Sequence, residues 1–188
     1  MHRYLTEVAS LLQSVSGRDL EAISARLWQA YCDGAQIFTC GNGGSAAAAS
    51  HFLADLAKGV DLPAGCRRFR AISLVDNVPA LTAYANDLGY ENVFVEPLRN
   101  LVRPGDVLLA ISGSGNSENV LRAMQAARDS GATSIGLTGR DGGKLKALAD
   151  ICLVVPAESM QQIEDAHLVI LHALYLDLKA KAEAAPAA

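Results

Sequence analysis

The chain has no uncharged apolar run of 18 residues, no CxxC pair and no excess of positive charge. The first absence argues against a membrane-spanning helix. The four cysteines, Cys32, Cys40, Cys66 and Cys152, are scattered. They fit reduced cytoplasmic thiols better than a disulfide framework or a structural zinc knuckle. The net charge of −4 gives no ground for a nucleic-acid partner or a membrane surface. The opening residues, MHRYLTEVAS, carry charges and no long apolar core, so no signal peptide is expected and the reading is cytoplasmic. Nucleotide signatures are missing too. There is no GxxxxGK[ST], and GNGGS at 41–45 lacks the GxGxxG spacing and is followed by no basic anchor for a triphosphate.

What remains is a composition with 51% hydrophobic residues over 188 positions, long enough to bury the core of one domain. Residues 2–33 read as two amphipathic helices broken at Ser16–Asp19. They precede the first strand, so they either wrap back onto the domain or pack against another subunit. Short apolar runs then alternate with helical stretches. Strands are expected at Gln36–Cys40, Arg70–Leu74, Asp106–Ile111, Thr133–Leu137 and Ile151–Val155. Helices are expected at Ser45–Lys58, Val78–Ala85, Asn92–Leu101, Asn116–Ser130, Lys144–Leu148 and Met160–Ala182. This alternation predicts a parallel sheet with helices on both faces, and such sheets bind ligands outside the carboxyl ends of their strands. The tail after residue 182 is low-complexity and is expected to fray.

Two loops fall at such strand ends. The first, Gly41–Ser45, opens a helix, and free backbone N–H groups at a helix start suit an anion. That helix carries His51 and Asp55 four residues apart, on one face. The second loop is Ser112-Gly113-Ser114-Gly115-Asn116-Ser117. Its three hydroxyls and the following helix start suit the oxygens of a phosphate monoester, which favours a sugar phosphate over a nucleotide. Its plainer reading is a turn in which Asn116 or Ser117 caps the helix. The final helix adds Glu164, Asp165, His167 and His172 to an apolar run. Either acid can share a face with His172, and spacing does not choose between them. His167 falls on another side and reads as exposed. Imidazoles and carboxylates from two helices would suit a divalent transition metal. Asn86-Asp87 reads as a helix end and turn, and Gly139–Leu145 as a surface turn.

Taken together, CGNGGS, Ser50-His51, Ala85-Asn86-Asp87, GDVLLAIS, SGNS, LTGRDGG and QIEDAHLVILH resemble the SIS (sugar isomerase) domain family, nearest its phosphoheptose isomerase branch. The resemblance spans nearly the whole chain as a single domain. It implies a flavodoxin-like three-layer α-β-α sandwich on a five-stranded parallel sheet. It also implies a homotetramer with residues 1–33 in the interface and active sites shared between subunits. The implied reaction interconverts sedoheptulose 7-phosphate and D-glycero-D-manno-heptose 7-phosphate, feeding heptose to surface polysaccharide. Carried over by position, Ser112, Gly113, Ser114 and Ser117 hold the phosphate, and Asn42, Gly43, Gly44, Asn86, Asp87 and Glu164 touch the sugar. His51, Asp55, Glu164 and His172 hold a zinc ion, with Asp55 as base and His172 as acid.

The chain departs from the family pattern at four places. Asp55 stands where glutamate is usual, Glu164 where glutamine is usual, Gly113 where threonine is common, and Gly59 where arginine is often found. A shorter carboxylate reaches less far, and an added charge at 164 should strengthen metal binding. The resemblance also admits a non-catalytic sugar-phosphate regulator, like the initiator-associating proteins of bacterial replication, or an isomerase of another phosphorylated ketose. The presence of His51, an acid at 55 and His172 favours the enzyme.

Overall fold

The computed structural model describes residues 1–58 and 67–185. Gly59, Cys66 and the last three residues of the tail lie outside them. The elements follow in the expected order: α1 (His2–Gln13), α2 (Gly17–Asp33), β1 (Gln36–Gly41), α3 (Gly44–Lys58), β2 (Arg70–Ser73), α4 (Val78–Leu88), α5 (Val95–Arg99), β3 (Val107–Ser112), α6 (Glu118–Asp129), β4 (Thr133–Gly139), α7 (Gly143–Leu148), β5 (Ile151–Val155) and α8 (Met160–Ala184). The five strands are all parallel in the order β2-β1-β3-β4-β5, so the three-layer sandwich is as the sequence predicts.

Continuous apolar runs such as Val107-Leu108-Leu109-Ala110-Ile111 are buried on both faces of the sheet. One layer packs α2, α3 and α8 on Ile37, Leu109, Ile135 and Leu153. The other packs α5, α6 and α7 on Phe38, Leu108 and Ala110. The two leading helices differ. Helix α2 wraps back onto the domain and buries Ile23, Leu27, Ala30 and Tyr31, whereas α1 buries no residue. Buried Asp106 ties the sheet together at its amino edge, accepting from the Gln36 and Arg103 amides at 2.8 Å each.

Two expectations are corrected. The single helix foreseen over Asn92–Leu101 is a short 3₁₀ turn, Tyr90–Asn92, followed by the five-residue α5. His167 is fully buried, not exposed. Its face of α8 turns onto β4, where Nε2 lies 3.1 Å from the Thr138 carbonyl oxygen. A carbonyl only accepts, so Nε2 carries the proton and Nδ1 is left buried without a partner among the described residues. No helix of the described residues is long and apolar enough to cross a membrane.

Burial pushes the His167 imidazole down to about 4, against a weaker opposing pull from the Thr138 carbonyl. The fold therefore binds fewer protons than the unfolded chain between about pH 6.5 and 4, and stability falls as pH drops through that window. Wild-type protein should lose about 2 kcal/mol more between pH 7 and pH 4.5 than a His167→Gln variant does. Urea titrations of both proteins at the two pH values check this, and equal losses would contradict it.

Candidate active site

Strands β1 and β3 are direct neighbours, with Gly41 in register with Ile111. The loops that follow them therefore leave the same edge of the sheet side by side. Only glycine fits at 41, because a Cβ there would lie 2.8 Å from the Ser45 backbone and 2.9 Å from the Ile111 carbonyl. After that tight turn, the Asn42 carbonyl accepts from the Ser45 amide at 3.0 Å and starts α3.

The serine loop is built more rigidly. Ser112 ends β3 and is buried. Gly115 adopts a left-handed φ of 64° and its amide donates to the Ser112 carbonyl at 2.9 Å. A Cβ at 115 would overlap the Gly142 carbonyl. The Gly139–Leu145 turn, which the sequence offered only as surface, buttresses this loop. Gly139 and Leu145 amides donate to Gly113 and Gly115 carbonyls, and Asn116 bridges the Ser114 carbonyl and the Lys144 amide. Ser117 occupies the cap position of α6 but makes no side-chain cap bond, so its hydroxyl remains available beside the helix amides.

Both loops, with Met160 and Glu164 from α8, line one cavity of about 260 Å³. Met160 fills the space beside Gly113, where a Cβ would meet its sulfur at 2.5 Å. Glu164 is half-buried, and its carboxylate lies against Gly44 at the amino end of α3. The first loop, Gly41–Ser45, foreseen as an anion cradle, thus has the protein's own carboxylate beside Gly44, which makes the serine loop the stronger candidate for an added anion. A second cavity of about 560 Å³ shares Asn42 and Ser117 and extends along Tyr90, Asn119 and Arg122. A larger cavity of about 760 Å³ beside α1 has neither a serine loop nor an imidazole.

A separate cluster gathers His51 and Asp55 from α3 with His172 from α8. Asp55 Oδ2 lies 3.6 Å from His51 Nε2 and 3.9 Å from His172 Nε2, and the two Nε2 atoms are 3.2 Å apart. Ligands 2.0–2.1 Å from a tetrahedral zinc stand about 3.3–3.4 Å apart, so the spacing and the donor set both fit such an ion. Glu164 stays out of this group because its carboxylate is turned to Gly44. Asp165, the alternative acid, faces α1 and accepts from Tyr4 Oη at 2.6 Å. Asn86 and Asp87 sit exposed on the last turn of α4, bonded to each other at 2.7 Å, and line neither cavity.

Neither Asn119 nor Tyr90 falls in a pattern that sequence reasoning picks out. Asn119 is 3% exposed and forms a reciprocal amide pair with Asn42, each Nδ2 donating to the other Oδ1 at 2.9 Å. Tyr90 Oη donates to the same Asn42 oxygen at 2.9 Å. Only the position of Asn119, two residues after Ser117, hints at a role; periodicity does not flag a buried amide.

The SIS domain family model matches residues 3–139. The chain is similar to a phosphoheptose isomerase of Helicobacter pylori (strain P12), 46% identical over 139 residues that cover 74% of this chain and 71% of the relative. It is also similar to a phosphoheptose isomerase of Aliarcobacter butzleri (strain RM4018), 41% identical over 167 residues, 89% of this chain and 87% of the relative. Among solved structures, the phosphoheptose isomerase from Neisseria gonorrhoeae aligns with a TM-score of 0.83 and 35% identity, over 95% of this chain and 92% of that one.

Gly115→Ala should deform the serine loop, through both the overlap with Gly142 and a left-handed penalty of about 1–2 kcal/mol. Inorganic phosphate should then bind the variant about tenfold more weakly or worse, read by titration calorimetry. Unchanged phosphate affinity would show that the loop's shape does not matter.

Proposed function

The chain belongs to the SIS domain family, among the phosphoheptose isomerases, and we propose that it interconverts sedoheptulose 7-phosphate and D-glycero-D-manno-heptose 7-phosphate. The observation that carries this reading is a rigid serine loop at the end of β3, together with a His51–Asp55–His172 cluster on the neighbouring helices. Three hydroxyls and the start of α6 suit a phosphate dianion, and docking it fixes the far end of the sugar.

The isomerisation moves one proton from carbon to carbon and one from oxygen to oxygen. Asp55 takes the proton from the hydroxyl-bearing carbon, and that C–H electron pair becomes the double bond of an enediol. The carbonyl electron pair moves to its oxygen, where His172 supplies a proton from the ring nitrogen other than the cluster-facing Nε2; the steps reverse on the neighbouring carbon. A divalent metal such as zinc, bound by His51, Asp55 and His172, would polarise the carbonyl oxygen. Glu164 and Asn42–Gly44 contact the sugar between phosphate and cluster.

Helix geometry sets the reach. At 1.5 Å per residue, His51 and Asp55 stand about 10 and 16 Å along α3 from Gly44. The sugar must therefore extend away from the serine loop. The same reading includes assembly of copies. Helix α1 has no fully buried residue, with only Leu11 and Leu12 packed part-buried against the core, and Leu5, Val169 and Leu176 expose apolar surface on α1 and α8. A cytoplasmic homotetramer with sites shared between subunits would cover that surface.

Incubation with C5–C7 sugar phosphates, followed by NMR of the products, tests the reaction; turnover of a pentose or hexose phosphate with none of the heptose would overturn the substrate. His172→Ala should lose isomerisation by at least about 10² while still binding the phosphate ester. Exhaustive chelation should remove turnover and restoration of zinc should return it. Full activity in a preparation that elemental analysis finds metal-free would refute the metal.

A further inference from the structure

Asn42 lines both cavities, and its amide is held from two sides. Which way it points follows from one backbone bond. The Val120 amide donates to Asn119 Oδ1 at 3.0 Å, so that atom of Asn119 must be the oxygen. The Asn119 oxygen then faces Asn42 Nδ2, and the Asn119 Nδ2 faces the Asn42 oxygen, at 2.9 Å each. Tyr90 Oη takes the other lone pair of the same Asn42 oxygen.

An asparagine side chain has two acceptor lone pairs and two donor hydrogens. At Asn42 both lone pairs are occupied, by Asn119 and Tyr90, and one hydrogen is spent on the Asn119 oxygen. One N–H is left. Asn42 can therefore offer a ligand a donor and nothing else. Such a group suits an oxygen that gains negative charge, and it cannot accept from a sugar hydroxyl.

We propose that Asn119, with Tyr90, is a positioning residue that locks Asn42 as a fixed single N–H donor toward the sugar oxygen that becomes negative during isomerisation. The proposal rests on the isomerase reading for its ligand, although the locking itself does not. Asn119 is buried at the start of α6, so the lock also joins the first loop to the helix whose amino end closes the serine loop. The phosphate grip and the donor to the reacting end are thus set by neighbouring residues of one helix. Fixed donors of this kind act because they need not reorganise as charge develops.

The test uses Asn119→Asp and Tyr90→Phe in the full-length protein. Asn119→Asp places a carboxylate oxygen where Asn42 needs a donor, and so turns the Asn42 amide or frees it. Nitrogen-15 NMR should show slow proton exchange at the Asn42 side-chain amide in the wild type and exchange at least about tenfold faster in Asn119→Asp. With the heptose phosphate, kcat should fall by about 10–10² while KM and inorganic phosphate affinity change by less than about threefold, because a misplaced transition-state donor costs turnover more than binding. Tyr90→Phe, at an exposed ring, should lower kcat by a few-fold and leave the melting temperature in place. Equal amide exchange in wild type and Asn119→Asp would overturn the lock. So would a parallel loss of kcat, phosphate affinity and melting temperature, which is what a purely structural role gives. If Asn119→Asp does not fold, Tyr90→Phe decides: an unchanged kcat overturns the proposal. A wild type that turns over no heptose phosphate while its Asn42 amide is protected would refute the reaction and leave the lock standing.

Discussion

The whole site depends on one strand pairing. Because β1 and β3 are hydrogen-bonded neighbours in parallel register, two loops distant in sequence leave the sheet together, and the helices after them start side by side. Each helix start is a place for negative charge. The protein sets Glu164 from α8 beside the first, and the second opens on the cavity at the serine loop. A parallel sheet needs long crossovers, and here α3 serves as both crossover and carrier of His51 and Asp55.

The carboxylates of the site consequently do different jobs. Asp55 lies between two imidazoles on the outer sides of α3 and α8, where it can share a metal. Glu164 lies apart from this cluster, beside Gly44, and lines the cavity of the serine loop. Relative to the neutral amide that the resemblance implies at 164, the acid therefore adds its charge to the serine-loop cavity and not to the metal cluster. Asp55 Oδ2 lies 3.6 and 3.9 Å from the two imidazoles, beyond hydrogen-bond distance, a gap that an ion can bridge.

Much of this was legible in the sequence for identifiable reasons. Five apolar runs of strand length, separated by helical periodicity, fixed the sheet and its layers. Gly/Ser clusters at strand ends marked both loops, and i,i+4 spacing joined His51 to Asp55. Long-range side-chain direction was not legible. Spacing placed Glu164 and Asp165 equally well beside His172, yet one turns to Gly44 and the other to Tyr4. His167 looked polar and exposed because periodicity does not register that β4 offers it a carbonyl. Asn119 and Tyr90 act through Asn42, from a helix start and a short 3₁₀ turn, and no local pattern links them.

A crystal structure of the zinc-loaded protein with sedoheptulose 7-phosphate tests the central claim, the division of labour between the two loops and the cluster, most directly. The phosphate should lie on Ser112, Ser114 and Ser117, with the metal on His51, Asp55 and His172 and the free Asn42 N–H on a sugar oxygen near the reacting carbons. A phosphate seated on Gly43 and Gly44 in place of Glu164, with the serine loop empty, would contradict it.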